Sequence, residues 1–234
     1  MIEVKNNFQR RDNEIDQYLN FIDIMLEGNV SIQSNQGEAI RINNYVSSTL
    51  KASVFLMFYN IIESTVSRSI ELIHNTITAE ELTYSEINHQ IKKLWLDYYL
   101  SNHQSGQISK LALKLISGVF SNEKVNIEFR EYINKKTIFS GNLDAMKIKD
   151  ISSNYGFKIT KNKLGKQLLT VKNLRNKLSH GDISFSECGR NYVVNDLKKI
   201  KKDVSRFLEH FLDQVEIYIT SKKYKIITSN DMAN

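Results

Sequence analysis

The chain has 234 residues, 32 Lys+Arg against 26 Asp+Glu for a formal charge of +6, 41% hydrophobic and 25% charged residues, and no proline. This is enough apolar material for a sizeable core, and it excludes disordered and collagen-like classes. Where about a dozen prolines would be usual, their absence removes the commonest breaker of long helices, which permits an all-α fold without proving one. The longest apolar stretch, Val54 to Ile62, is cut by Asn60 and followed by Glu63, far short of the roughly 20 residues of a membrane span, so no membrane partner is expected. The polar start, Met1 to Asp12, offers no apolar signal core, and the lone Cys188 cannot form an internal disulfide. A cytoplasmic setting is the expectation.

From the N-terminus, Phe8, Ile15, Tyr18, Leu19, Ile22, Met25 and Leu26 recur at helical spacing among charges. They predict an amphipathic helix over 8–26 that stops before Gly28 and Asn29. Residues 30–44 are polar without a clear period and read as a connection. From Tyr45 to Asn75 there is no Gly, and Leu50, Val54, Met57, Phe58, Ile61, Ile62, Val66, Ile70 and Ile73 make a wide apolar stripe. The longest and most buried helix is expected there. A third helix is predicted over 85–100 with Ser85 as its cap, and a fourth over 108–120. Weak alternation at Val125, Ile127 and Phe129 suggests a short hairpin within 122–141, before a turn at Gly141 and Asn142. Asn142 then caps a helix over 143–155 that ends at Gly156, and another spans 164–180 and ends at Gly181. The last covers 195–222, with Leu197, Ile200, Val204, Phe207, Leu208, Phe211, Leu212, Val215 and Tyr218 on one face. No repeat or flexible linker divides these segments. The expectation is one all-α domain over 1–234, core 8–222, built as a bundle of about seven helices.

Many catalytic signatures are missing: there is no Gly-rich phosphate loop, no HExxH and no CxxC, and the five histidines are scattered. No metal and no cofactor are expected. What remains is VKNLRNKLSHG, Val171 to Gly181, where Arg175 precedes the polar Asn176 and His180 follows five positions after Arg175 at a helix end. Histidine exchanges protons near neutral pH, and arginine supplies permanent forked donors for phosphate oxygens. At a helix C-terminus the macrodipole favours the imidazolium. Five residues of helix rotate by about 140° and rise about 7.5 Å, so Arg175 and His180 do not share a face. One chain also supplies one motif histidine where acid and base work needs two groups, and a twofold dimer would provide the second. Arg68 and His74 satisfy a looser spacing but read as ordinary members of the long helix.

The R-N-x3-H pattern at Arg175, Asn176 and His180 resembles the R-x(4-6)-H motif of the HEPN superfamily. KASVFLMFYNIIEST, Lys51 to Thr65, resembles the family's long second helix with its polar Asn60 and Glu63. SGNLDAMKIKDISSNYGF, Ser140 to Phe157, resembles the connecting element of the branch associated with abortive infection and restriction. The resemblance covers about residues 8–222. It implies a metal-independent endoribonuclease acting as a toxin or anti-phage defence effector, with Arg175 and His180 catalytic in a composite homodimer site and RNA as substrate. The alternative it leaves is a non-catalytic HEPN module that binds RNA or a partner protein, such as an antitoxin or another component of a defence system. Asn176, Glu63 and Asn60 are candidate supporting residues; Asn60 and Glu63 serve equally well as a buried polar pair that fixes helix register. HEPN toxins silenced by nucleotide transfer carry a tyrosine two residues after the motif histidine. Asp182 stands there, so that regulation is not expected.

Between Lys161 and Lys225 there are 15 Lys+Arg against 7 Asp+Glu. The positive balance therefore lies in the segments that carry or follow the motif, and Lys198, Lys199, Lys201 and Lys202 are candidate RNA contacts beside a solvated-face reading.

Overall fold

The computed structural model describes residues 1–27, 31–33, 39–100, 108–128, 130–132, 139, 141–160 and 164–226. They form helices α1 (Ile2–Glu27), α2 (Asn44–Ala79), α3 (His89–Leu100), α4 (Ile108–Phe120), α5 (Ala145–Tyr155), α6 (Lys166–His180), α7 (Phe185–Arg190) and α8 (Val194–Thr220). This is an all-α bundle with one small addition, an antiparallel ribbon of β1 (Ser31–Gln33) and β2 (Ala39–Arg41) in which Ile32 faces Ile40.

The bundle is organised by α2. Its start is capped by Asn43, whose side chain accepts from the Tyr45 and Val46 N–H groups, satisfying donors that have no partner within the helix. Over its 36 residues it buries Ala52, Val54, Phe55, Phe58, Tyr59, Ile61, Ile62, Val66, Ile70 and Ile73. That set is too wide for a single face, so α2 is covered from several sides, by α1, α6, α7 and α8. The α1 stripe of Val4, Phe8, Ile15, Leu19, Ile22 and Met25 packs against it, and the predicted α8 stripe from Leu197 to Tyr218 closes another side.

One member of the α1 stripe is charged. Asp12 is 7% exposed, and its carboxylate accepts from Ser205 Oγ at 2.5 Å and Lys201 Nζ at 2.8 Å. Asp16 takes a second bond from the same ammonium at 2.6 Å, and Asp23 pairs with Lys198 a turn away. These contacts fix the register of α1 against α8 at positions where an apolar pair could slide.

The structure departs from the sequence reading at several places. The short ribbon lies within 30–44, which read as a plain connection. In 122–141, where a hairpin was expected, Lys124 makes a single bridge to Thr83 and residues 130–132 are helical; the rest of that expectation, 133–138, lies outside the described residues. Helix α3 starts at His89 with Asn88 as the residue that accepts from the Ile91 N–H at 2.9 Å. Ser85 does not cap it, because the stretch before it pairs with the segment after α8: Ile87 bridges Lys225, and Asn88 N–H donates to Tyr224 O at 2.8 Å. Likewise Asp144, not Asn142, caps α5 by accepting from the Lys147 N–H at 3.0 Å. Gly156 and Gly181 do end α5 and α6 with φ of 92° and 76°.

Helix α7 was not anticipated as a separate element. Ser184 and Glu187 form a reciprocal capping box at its start, and Gly189 lets its backbone lie directly on α2. A Cβ there would sit 1.8 Å from Ser48 O. We expect Gly189→Ala to cost about 3 kcal/mol through overpacking, lowering Tm by roughly 10 °C. A melting temperature within 2 °C of wild type, read by circular dichroism, would show that the two backbones are not in contact.

Candidate functional site

Helix α6 carries the motif, and its environment explains where each motif residue points. Leu168, Val171 and Leu178 are buried, and Arg175 falls on the same inward line between them. Lys166, Leu169, Asn173 and His180 occupy the opposite, exposed stripe. The helix begins at Gly165 without a side-chain cap of its own. Asp203 of α8 supplies one, accepting from Gly165 N–H at 3.1 Å and Gln167 N–H at 2.8 Å, which also places a carboxylate at the positive end of the helix dipole. The other end is closed by the Gly181 and Asp182 N–H groups donating to Leu178 O and Lys177 O, a Schellman arrangement.

The Arg175 guanidinium lies over the Tyr59 ring of α2, 4.5 Å from its centroid, a cation–π geometry. One of its N–H groups, on Nη1, donates to Asn176 Oδ1 at 3.1 Å. No carboxylate comes within ion-pair distance of Arg175 among the described residues. Glu63, one turn along α2 from Tyr59, feels the guanidinium from further off. Burial pushes the Glu63 carboxyl above its usual range, and the attraction of Arg175 opposes this only in part.

The turn before α5 forms the side of the site. Gly141 has φ of 78°, a conformation that favours glycine, and a Cβ there would lie 2.7 Å from Arg175 Nη1 and displace the guanidinium. Two residues on, the Leu143 N–H donates to the Tyr59 hydroxyl at 3.3 Å. Asp144 accepts from Lys172 Nζ of α6 at 2.5 Å. Burial raises the Asp144 pKa, but the Lys147 N–H and the Lys172 ammonium outweigh it and leave the group below its ordinary value. Tyr59 and this turn thus hold Arg175 from below and beside it.

His180 is exposed at the last position of α6 and makes no side-chain hydrogen bond among the described residues. Asn176 is half-buried and bonded to Arg175. Glu63 faces the site, whereas Asn60 is exposed and borders a hollow with Arg11, Glu14 and Met57 on the α1 side. The expected buried pair of Asn60 and Glu63 is therefore corrected: successive turns of α2 face different neighbours, and Tyr59 takes the place beside Arg175. Tyr59 and Asp203 went unnoticed in the sequence, and Gly141 was read as a turn but not as part of the site. Tyr59 lies four residues before Glu63, one helical turn, and that spacing was the available signal.

The lysine run is also revised. Lys198 pairs with Asp23, Lys201 with Asp12 and Asp16, and Lys199 with Asp196 at 3.6 Å. Lys222 and Lys225 both bind Glu80, whose pKa is held down to about 2 by these contacts despite the opposing effect of burial. Lys202 alone of the four candidates is exposed without an ion pair among the described residues. Much of the local positive charge is spent inside the fold. No three His, Cys, Asp or Glu side chains converge to hold a metal ion among the described residues, and no helix there is long and apolar enough to cross a membrane.

The second Arg/His spacing resolves into separate roles. Arg68 is exposed and lies 3.8 Å from Glu3, whereas His74 is buried, with Nδ1 3.1 Å from Ile127 O and Nε2 2.6 Å from the Tyr155 hydroxyl. Burial lowers the His74 pKa to about 4, against a lesser raising effect of the Ile127 carbonyl. A histidine depressed in the folded state favours folding fully above its unfolded value near 6.5 and less as pH falls towards 4, because the unfolded chain takes the proton first. Urea denaturation of wild type should thus lose about 2 kcal/mol from this group between pH 6.5 and 5. His74→Phe should show a correspondingly flatter profile; equal slopes would show that His74 titrates normally.

Comparison with known families places the chain. A family model described as MAE_28990-like HEPN matches residues 3–224. No curated protein and no solved structure matches the chain. The match spans α1 to the end of the bundle and includes Tyr59, Arg175 and His180, and the chain belongs to the HEPN superfamily.

Proposed function

We propose that the protein is a metal-independent endoribonuclease that acts as a homodimer, in the role of a toxin or anti-phage defence effector. The observation that carries this reading is Arg175: a half-buried guanidinium oriented by Tyr59 and Asn176, with no carboxylate at ion-pair distance among the described residues. Such a group gains from an anion that approaches its remaining donors, and a phosphodiester fits their fork. His180, exposed on the outer stripe with Leu169 and Asn173, points away from its own Arg175. A second copy set against that stripe brings two histidines to one phosphate.

In this scheme the neutral imidazole of one His180 takes the proton of the ribose 2′-OH as that oxygen attacks phosphorus. The imidazolium of the other delivers a proton to the departing 5′-oxygen, and Arg175 stabilises the charge on the non-bridging oxygens. The products are a 2′,3′-cyclic phosphate and a free 5′-hydroxyl, with every proton accounted for. Lys202 is the lysine of the α8 run left for the RNA backbone.

The enclosure of Arg175 by Gly141, Tyr59 and Asn176 also supports a second reading, a non-catalytic HEPN module that binds RNA or a partner protein. Incubation with total RNA in EDTA separates the two. Wild type should produce fragments ending in cyclic phosphate, and Arg175→Ala and His180→Ala should each reduce the rate by at least about 100-fold while remaining dimeric by light scattering. Saturable RNA binding without turnover would favour the second reading, and cleavage that persists in both variants or requires magnesium would overturn the first.

A further inference from the structure

A cavity of about 510 Å³ lies away from Arg175 and His180, between α3 and α5. Gly156, just past the end of α5, lies beside Gln90 in the first turn of α3, so the two helices border the cleft from that end. Its floor is apolar and aromatic, made by the buried Leu94, Ile151, Tyr132 and Tyr155. The volume suits a small organic molecule.

The floor carries one polar atom of defined polarity. The Ile127 carbonyl facing His74 Nδ1 can only accept, so the neutral ring carries its proton on Nδ1 and its Nε2 accepts from the Tyr155 hydroxyl. The Tyr155 proton is committed inward, and its oxygen is left as an acceptor.

The walls carry charge of both signs. Lys93 and Asp97 come from α3, Lys147 and Asp150 from α5. None of the four is in an ion pair within 4.0 Å among the described residues. Lys5, Lys124, Lys172, Lys198, Lys201, Lys222 and Lys225 are paired, whereas Lys93 and Lys147, like Lys202, are not. Two cations and two carboxylates that line one cleft unpaired are answered by a ligand carrying both charges. A polyanion is disfavoured, because the carboxylates line the same walls as the lysines.

We propose that the α3–α5 cleft binds a small zwitterion of the amino-acid class, its carboxylate held by Lys93 or Lys147, its ammonium by Asp97 or Asp150, and its apolar or aromatic side chain on Leu94, Ile151 and the two tyrosines. The site does not rest on the ribonuclease reading and uses none of its residues. Calorimetric titration of the full chain with L-leucine, L-phenylalanine and L-tyrosine tests it, with L-leucinamide and 4-methylpentanoate as analogues lacking one charge and adenosine monophosphate as an anionic probe. At least one amino acid should bind saturably, and loss of either charge from that ligand should weaken binding by about tenfold or more. The pairs Lys93→Gln with Lys147→Gln, and Asp97→Asn with Asp150→Asn, should each weaken it as much, and amide shifts in the 15N-labelled wild type should concentrate in 89–97 and 147–156. Absence of binding by all three amino acids, equal binding of a single-charge analogue or of adenosine monophosphate, or shifts centred elsewhere would overturn the assignment.

Discussion

The burial of α2 is the constraint from which the rest of the structure follows. A 36-residue helix with apolar residues on most of its circumference is stable in water only when neighbours cover each side, and α1, α6, α7 and α8 do so. Each neighbour is then held at a distance set by what lies between. At α7 that is no side chain at all, since Gly189 rests on the Ser48 carbonyl. At α6 it is the Tyr59 ring, and this choice of spacer creates the site. A leucine in place of Tyr59 could fill the space, but it would offer Arg175 no π-face and Leu143 no acceptor.

Electrostatics divide along the same lines. Where α8 meets α1, lysine and aspartate side chains are used up in fixing register, and they add little to any surface potential. Where α6 meets α2, an arginine faces an aromatic ring and a carboxyl that burial keeps reluctant to ionise. The first arrangement neutralises charge, and the second preserves it. This difference leaves Arg175 with more to gain from an anion than the paired lysines of α8, because an ion already paired gains little from a second partner while an unpaired, partly desolvated one gains more.

The separation of Arg175 and His180 follows from helix geometry. Arg175 continues the inward line of Leu168, Val171 and Leu178, while His180 lies on the outer stripe beyond Leu169 and Asn173. The inner residue is positioned by its own chain: Asp203 holds the start of the helix, and Tyr59 and the Gly141 turn hold its middle. The outer residue is left to whatever covers the stripe. The two residues of the motif therefore depend on different surroundings, one on the interior of the bundle and one on its surface.

How much of this was legible beforehand depends on the range of the interaction. The periods of α1, α2, α4 and α8, the stops at Gly156 and Gly181, and the Arg175/His180 spacing are local patterns, each contained within a few turns, and the sequence by itself determined them. Residues far apart in the chain decided the remainder. The segment after α8 pairs with Ile87 and Asn88 and delays the start of α3; α8 lends Asp203 to cap α6; Asp12 and Asp23 neutralise the lysines that a charge count had left free. Tyr59 and Arg175 are more than a hundred residues apart and meet only because both helices bury their inner faces in one core. Periodicity records which side of a helix avoids water, but not which neighbour covers it. The tertiary structure alone settled the partners, and with them which charges are spent on the fold and which stay available.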